Sequence, residues 1–350
     1  MKILKYIFII AALAVVFLTV YIATGKSNYE INVSKKTELS NQRLFRYVNN
    51  LQNFGDWNPW NNDAVAFKLD SIYKGKDAKV SWNGNEAFIK KSIPNDTIFL
   101  KLNVSGNDYD TKMYFDEVDG KTTVNWHVKG NLSFSEKFKL FFQGTPDSMI
   151  APIFEEGLIK INKNITESLK KISIKNEGIV MIPEMFYIKQ IVESDIEGLG
   201  DKIFQSMEHM NNFAKNFELE PYGSPFTVFE NINVLSGNVR YSVCLPIKNF
   251  FSTAEGSDIV CEKLPAFHGY KTVLTGDYIH SDKAWTEVKK EIATKNLTQR
   301  ADLKPISIYK TSILTTQKTS EWITEFIIPV NETVIPIIDT PATDTLSVTR

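Results

Sequence analysis

The chain has 350 residues, 43% of them hydrophobic, and its 40 basic against 41 acidic side chains leave a formal charge of −1. That length can bury more than one core, which points to about two domains. The even charge balance offers no basic stripe for phosphates and argues against nucleic acid as the main partner. Four scattered histidines and two cysteines leave no cysteine-rich metal motif.

After Lys2 and Lys5 the run "YIFIIAALAVVFLTVYIA" (6–23) holds eighteen residues without a charge, close to the roughly 20 that cross a bilayer as a helix. No small-x-small cleavage site follows it, and Tyr6 and Tyr21 sit near its ends, where amphipathic rings favour the interface. Residues 1–27 therefore read as a transmembrane signal anchor. The alternatives are a cleaved signal peptide and a buried core helix. Lys26, Lys35 and Lys36 compete with Lys2 and Lys5 for the cytoplasmic side; the very short leading tail favours an extracytoplasmic body.

"YEINVSKKTE" (29–38) alternates with period two, and "LSNQRLFRYVNNLQNFGDW" (39–57) then switches to helical spacing with Ser40 as N-cap. Six short strands follow as an antiparallel meander, "VAFKLDS", "AKVSWNG", "EAFIKKSI", "TIFLKLNV", "DTKMYFDEV" and "TTVNWHVKG", divided by turn signals such as "NGN", "SGND" and "VDGK". "FKLFFQGTPD" (138–147) reads as a loop or short helix. From 148 to 174, Ile153, Leu158, Ile161, Ile165 and Leu169 are spaced as the stripe of one long helix.

The stretch from Tyr29 to the "WNPW" motif at 57–60, with the meander and the long helix, resembles the START-like polyketide cyclase superfamily (SRPBCC). The resemblance covers residues 28–177 and implies a helix-grip fold with an apolar cavity. Trp82, Tyr114, Trp126 and Phe141 are the aromatic positions for its lining, against ordinary core packing as the plainer reading. Trp57 and Trp60 read as closure of the helix-to-strand turn, and His127 as a strand residue facing solvent.

From Gly178 the chain repeats itself. "MIPEMFYIKQIVE" (181–193) matches "KLPAFHGYKTVLT" (263–275), "GSPFTVFE" matches "LKPISIYK", and "YSVCLPI" matches "TEFIIPV". Pro183 and Pro265, Pro225 and Pro305, and Pro246 and Pro329 mark one spacing of about 80 residues. Each copy reads as strand, helix and a two-stranded hairpin. The helices cover 198–217 and 281–297, the second with Ser281 as N-cap.

This tandem unit, residues 178–331, resembles the GyrI-like effector-binding domain of AraC- and MerR-type regulators, most closely in "LPAFHGYKTVLTGDYIHSDKAWTEVKKEI". The resemblance implies a pseudo-twofold groove in which Glu325, in the last strand, receives a hydrophobic or cationic small molecule. Tyr309, Tyr270, Tyr187, Trp322 and Trp285 would supply aromatic faces. Ser242 takes the place of the acid in the first copy. Alternation also allows Thr324 or Phe326 to point inward instead, and Glu321 is the rival acid. No helix-turn-helix flanks the unit, and the Thr- and Pro-rich residues 332–350 read as a flexible tail.

The sequence thus describes a bacterial-type α+β protein with an N-terminal transmembrane helix, a START-like domain and a GyrI-like domain, which sequesters or senses small molecules without a cofactor. Metalloprotease, phosphate-loop and nucleophile-elbow motifs are missing. Two alternatives stand beside this reading. Some GyrI-like relatives hydrolyse reactive electrophiles, for which Glu325, Tyr309 and Trp322 form a working set, and the chain also suits a structural envelope protein. Cys244 and Cys261 are left open as bonded or free, and no protein partner is legible.

Overall fold

The computed structural model describes residues 2–60, 65–195, 199–233, 238–254, 256–312, 315, 316 and 318–331. The sequence reading of 332–350 as a flexible tail lies outside them. The chain divides into two compact units, Met1–Ser168 and Leu169–Arg350. Both are mixed α+β, and each is built on one antiparallel sheet.

The first unit opens with α1 (Lys2–Thr24), β1 (Asn28–Thr37), α2 (Asn41–Val48) and α3 (Phe54–Trp57). The strands β2 (Lys68–Leu69), β3 (Lys79–Trp82), β4 (Asn85–Ile93), β5 (Thr97–Val104), β6 (Asn107–Val118) and β7 (Lys121–Asn131) form the meander. Then come α4 (Phe134–Gln143), α5 (Pro146–Met149) and α6 (Ala151–Lys170). The sheet order is β1-β7-β6-β5-β4-β3-β2, so the first strand returns beside the last. Only two residues of "VAFKLDS" form a strand.

Turn chemistry sets this register. Asn83-Gly84, Ser105-Gly106 and Asp119-Gly120 each have two consecutive positive φ values, and each closes a two-residue hairpin loop, the mirror-image turns that match strand twist. One sheet face then buries Val124, Trp126 and Val128 on β7 and Met113 and Phe115 on β6. Against it lie Phe154, Leu158, Ile161 and Ile165 of α6.

Helix α1 is long and apolar enough to cross a membrane over Ile3–Thr24. Among its described side chains only Ile22 is buried, so it does not serve as a core helix in this unit.

The second unit contains β8 (Ser173–Ile182), β9 (Met185–Asp195), α7 (Leu199–Asn216), β10 (Phe226–Asn233) and β11 (Asn238–Ile247). The same order follows in β12 (Ile259–Leu264), β13 (Phe267–Thr275), α8 (Ser281–Thr294), β14 (Ile306–Thr311) and β15 (Ile323–Pro329). Each copy therefore gains a leading strand that the sequence did not reveal. The stretch 173–177, expected to close the preceding unit, pairs with β13 instead. Ser281 lies inside α8 rather than capping it; the turn before the helix is capped by the Asp277 carboxylate, which accepts from Ile279 N at 3.0 Å.

The sheet order β12-β9-β11-β10-β14-β15-β13-β8 reads the same from either end once the copies are exchanged. Its centre is the pairing of Thr227 with Ser307. The leading strands are swapped: β8 of the first copy pairs with β13 of the second, and β12 of the second pairs with β9 of the first. Only Pro183 and Glu184 join β8 to β9, a reach of about 10 Å, although β8 is one edge of the sheet and β9 lies beside the other. The sheet must curl until its edges meet.

Candidate functional site

Alternation along each strand divides the curled sheet into two faces. One packs on the helices: Ile188, Tyr241, Val243 and Tyr309 cluster with Met207 and Met210 of α7, while Tyr270 and Ile328 cluster with Val288 of α8. Among the described residues no helix packs on the other face. There Ile182, Leu264 and Phe267 pack on Phe226, Ile306 and Ile327, so the two short strand-to-strand links pass across the middle of the face and bury it.

Two cross-strand rows make the floor. One runs Lys189, Cys244, Phe226, Ile308, Glu325, and its neighbour runs Lys271, Ile327, Ile306, Val228, Ser242. The repeat maps the first row onto the second, with a lysine at one end of each and Glu325 or Ser242 at the other. Five strands separate into four spacings, roughly 19 Å of largely apolar floor between Lys189 and Glu325 if the row were flat.

Glu325 is not alone. Lys271 Nζ lies 3.2 Å from its Oε1 and 2.7 Å from Glu177 Oε2 on the exchanged strand. The side chains of Lys271 and Glu325 are 16% and 17% exposed, that of Glu177 34%, so Glu325 is the deeper carboxylate. Burial alone would lower the Lys271 ammonium, but Glu177 and Glu325 hold it above the usual lysine range. The hydrogen bond from Lys271 in turn holds the Glu177 carboxyl below its ordinary value. One cation serves two carboxylates.

The opposite half repeats the arrangement with other residues. Lys189 Nζ binds Glu262 Oε1 at 2.6 Å, and the Tyr187 hydroxyl donates to Glu262 Oε2 at 2.8 Å. Burial and the adjacent Glu262 push the Tyr187 phenol well up. Where Glu325 would have its counterpart, the buried Ser242 hydroxyl donates to Glu230 Oε1 at 3.2 Å. Each half thus has an acid, from β15 in one and from β10 in the other.

Of the residues expected around Glu325, only Tyr187 shares its face. Tyr309 bonds Thr227 Oγ1 at 3.1 Å among the α7 contacts. The Tyr270 hydroxyl donates to Glu291 of α8 at 2.9 Å, and burial with this carboxylate raises its pKa to about 12. Trp285 meets Phe326 edge-on at 4.9 Å. Trp322 stacks on Tyr278 at 4.5 Å, and its Nε1 donates to Thr316 O. These four lie on the helix-covered face: Tyr309 and Tyr270 have the register parity opposite to that of Glu325, Trp285 belongs to α8 itself, and Trp322 precedes β15 and stacks on Tyr278. Glu321, the rival acid, lies in the turn before β15 with its carboxylate accepting from Thr316 Oγ1.

In the first unit, Trp82 and Trp126 are buried on the inner sheet face. Trp126 touches Phe154 at 4.8 Å and Trp57 at 5.7 Å between ring centres, and Trp60 and Tyr109 extend the group. This aromatic cluster occupies space between sheet and α6. The indole nitrogens of Trp57, Trp82 and Trp126 have no hydrogen-bond partner among the described residues. Tyr114 lies on the outer face beneath Lys112, and Phe141 is on the exposed helix α4. His127 is also on the outer face, 3.3 Å from Glu30.

Cys244 and Cys261 are both free. Cys244 lies on the floor and Cys261 on the helix side, so the sheet itself separates them. Among the described residues no group of three or more histidines, cysteines and carboxylates is placed to hold a metal ion.

No family model matches the sequence, and no curated protein matches it. Solved structures similar in fold include the EcmrR C-terminal domain, 17% identical over 46% of this chain and 99% of that one, with a TM-score of 0.38. SAV2435 bound to tetraphenylphosphonium is 13% identical over 45% and 94%, with a TM-score of 0.32. CalU16 from Micromonospora echinospora is 11% identical over 37% and 84%, with a TM-score of 0.25. These likenesses are too loose to transfer a ligand or an activity.

Proposed function

We propose that the chain is a membrane-anchored binding protein whose second unit, of GyrI-like architecture, takes up amphipathic small molecules bearing a positive charge. The observation that supports this reading is the Glu177-Lys271-Glu325 cluster, which stays partly exposed at one end of the rows while the chain's own links cover the middle of the face. A buried carboxylate needs a partner, and Lys271 provides one. Because Lys271 also holds Glu177, a ligand cation can take over Glu325 without leaving the lysine unpaired. The apolar part of such a ligand would gain about 25 cal/mol for each Å² removed from water.

Residues 3–24 would hold the chain in the bilayer, and the first unit, of START-like architecture, would contribute its aromatic core. A hydrolytic role for Glu325, Tyr309 and Trp322 loses support, since the sheet stands between the acid and the two rings.

The test is titration of the detergent-solubilised full chain with tetraphenylphosphonium, a lipophilic cation. Glu325→Gln should weaken binding about 10-fold, equivalent to about 1.4 kcal/mol, while the neutral, isosteric probe tetraphenylsilane should be unaffected by the substitution. Equal affinity of wild type and Glu325→Gln for the cation would overturn the assignment.

A further inference from the structure

Helix α4 carries an aromatic stripe that stays largely exposed among the described residues. Phe134, Phe138, Phe141 and Phe142 fall at i, i+4, i+7 and i+8, on one side of a ten-residue helix, and all four are exposed, Phe142 at 63%. A solvated helix of this size has no reason to display four phenylalanines. Its start is well made: the Ser133 hydroxyl accepts from Glu136 N, and the Glu136 carboxylate accepts from Ser133 N at 2.8 Å.

The second observation fixes where the stripe lies. Helix α4 packs against the C-terminal end of α1. Lys137 Nζ donates to Gly25 O at 2.6 Å and to Ala23 O at 3.1 Å, closing the final carbonyls of α1. The Phe141 ring meets Tyr21 edge-on at 6.1 Å between centres. The 23 residues of α1 rise about 35 Å at 1.5 Å each, against a hydrocarbon core of about 30 Å. If α1 crosses the bilayer, Tyr21 is at its interface, and α4 is clasped to that level.

We propose that α4 is an interfacial helix whose four phenylalanines enter the headgroup and acyl boundary of the same bilayer that α1 spans. The occupant of the stripe is lipid. The pairing of a spanning helix with a helix lying in the interface gives the first unit two attachments in place of one. The inference rests on the anchor reading of α1 and adds to it a surface that this reading does not require.

The experiment uses the full chain in phosphatidylcholine nanodiscs, with flotation on liposomes after alkaline carbonate washing as a separate measure of the anchor. Tryptophan is introduced by Phe142→Trp on the stripe and by Gln143→Trp off it, and the emission of the unsubstituted chain is subtracted. Insertion to about 5–10 Å predicts that lipid brominated at carbons 6 and 7 removes roughly half of the added Phe142→Trp emission and leaves that of Gln143→Trp largely intact. A chain that floats while both indoles are quenched equally, or neither is, overturns the proposal and leaves the anchor standing. A chain that does not float overturns both.

Discussion

Lys189 and Lys271 stand at the same position of the two repeats, and each binds a carboxylate on the strand donated by the other: Glu262 at 2.6 Å and Glu177 at 2.7 Å. These pairs fasten the exchanged edges. Burial would raise the Glu262 carboxyl, but hydrogen bonds from Lys189 and Tyr187 outweigh it, and both acids titrate below the ordinary 4.5. A depressed carboxylate contributes stability above its unfolded value and loses it as pH falls through the folded value. Lys271, raised above 10.5, contributes below that value and loses its share as pH rises through the folded one. The protection of β8 amides, corrected for the intrinsic rise of exchange with pH, should therefore be greatest between about 4.5 and 10.5 and fall on both sides, and that of β12 should fall on the acid side. Uniform exchange behaviour of β8 and the central strand β14 across that range would contradict the assignment.

Replacing Lys271 by glutamine should separate stability from binding. The loss of the shared cation leaves Glu177 and Glu325 facing each other, which should lower stability by about 1–3 kcal/mol. The affinity for a lipophilic cation should rise about 10-fold, because the competitor for Glu325 is gone. Calorimetric titration and denaturant unfolding of Lys271→Gln measure the two effects. A fall in affinity would mean that the lysine helps to hold the ligand.

The repeats differ at Gly269, which stands where the first copy has Tyr187. A Cβ at Gly269 would clash with Ile327 Cγ2 and lie 3.3 Å from Ile328 O. The first copy has room for its tyrosine because Cys244 replaces Ile327. Gly269→Ala should destabilise by about 1–3 kcal/mol. In an Ile327→Ala background the same substitution should be close to neutral, and additive effects in the double-mutant cycle would exclude this account.

A similar contact joins α6 to the sheet. A Cβ on Gly157 would sit 2.7 Å from Trp126 Cζ3, so Gly157→Ala should destabilise the first unit by about 1–3 kcal/mol, despite the gain of about 1 kcal/mol in helix propensity. Thermal unfolding followed by near-ultraviolet circular dichroism of the tryptophans provides the measurement.

Burial pushes the Cys244 thiol well above its ordinary value, whereas Cys261 is partly exposed. An aromatic disulfide reagent at pH 8 should modify Cys261 in the native chain and reach Cys244 only on unfolding, since the thiolate is the reactive species. Counting released thiolate before and after denaturant tests this, and two fast thiols would refute it.

Much of the second unit is legible because proline and hydrophobic positions recur in both copies, and aligning those copies already places Lys189 over Lys271. The exchanged strands escape notice for a physical reason. β8 is an edge strand whose alternate positions face water, so "SIKNEG" has the composition of a linker. The site is read less well than the fold. Glu325 is found on the strand, but Tyr309, Tyr270 and Trp285 are brought to it only by type: a one-residue difference in register puts Tyr309 and Tyr270 on the opposite side, and Trp285 belongs to α8. Lys271 is the missed partner, and Glu230 takes the place of the acid that Ser242 lacks. In the first unit the glycine turns are plain in "NG", "SG" and "DG", while the loss of most of "VAFKLDS" to irregular chain depends on pairing that no local pattern encodes.

The exchange of leading strands has a consequence for the covalent chain. Residues 248–258 are the sole peptide bridge between the copies, yet each copy completes its sheet with a strand from the other. A protease nick in that bridge should leave an interlocked pair of fragments rather than two separable halves. Neither half, synthesised by itself, would possess both borders of its own sheet.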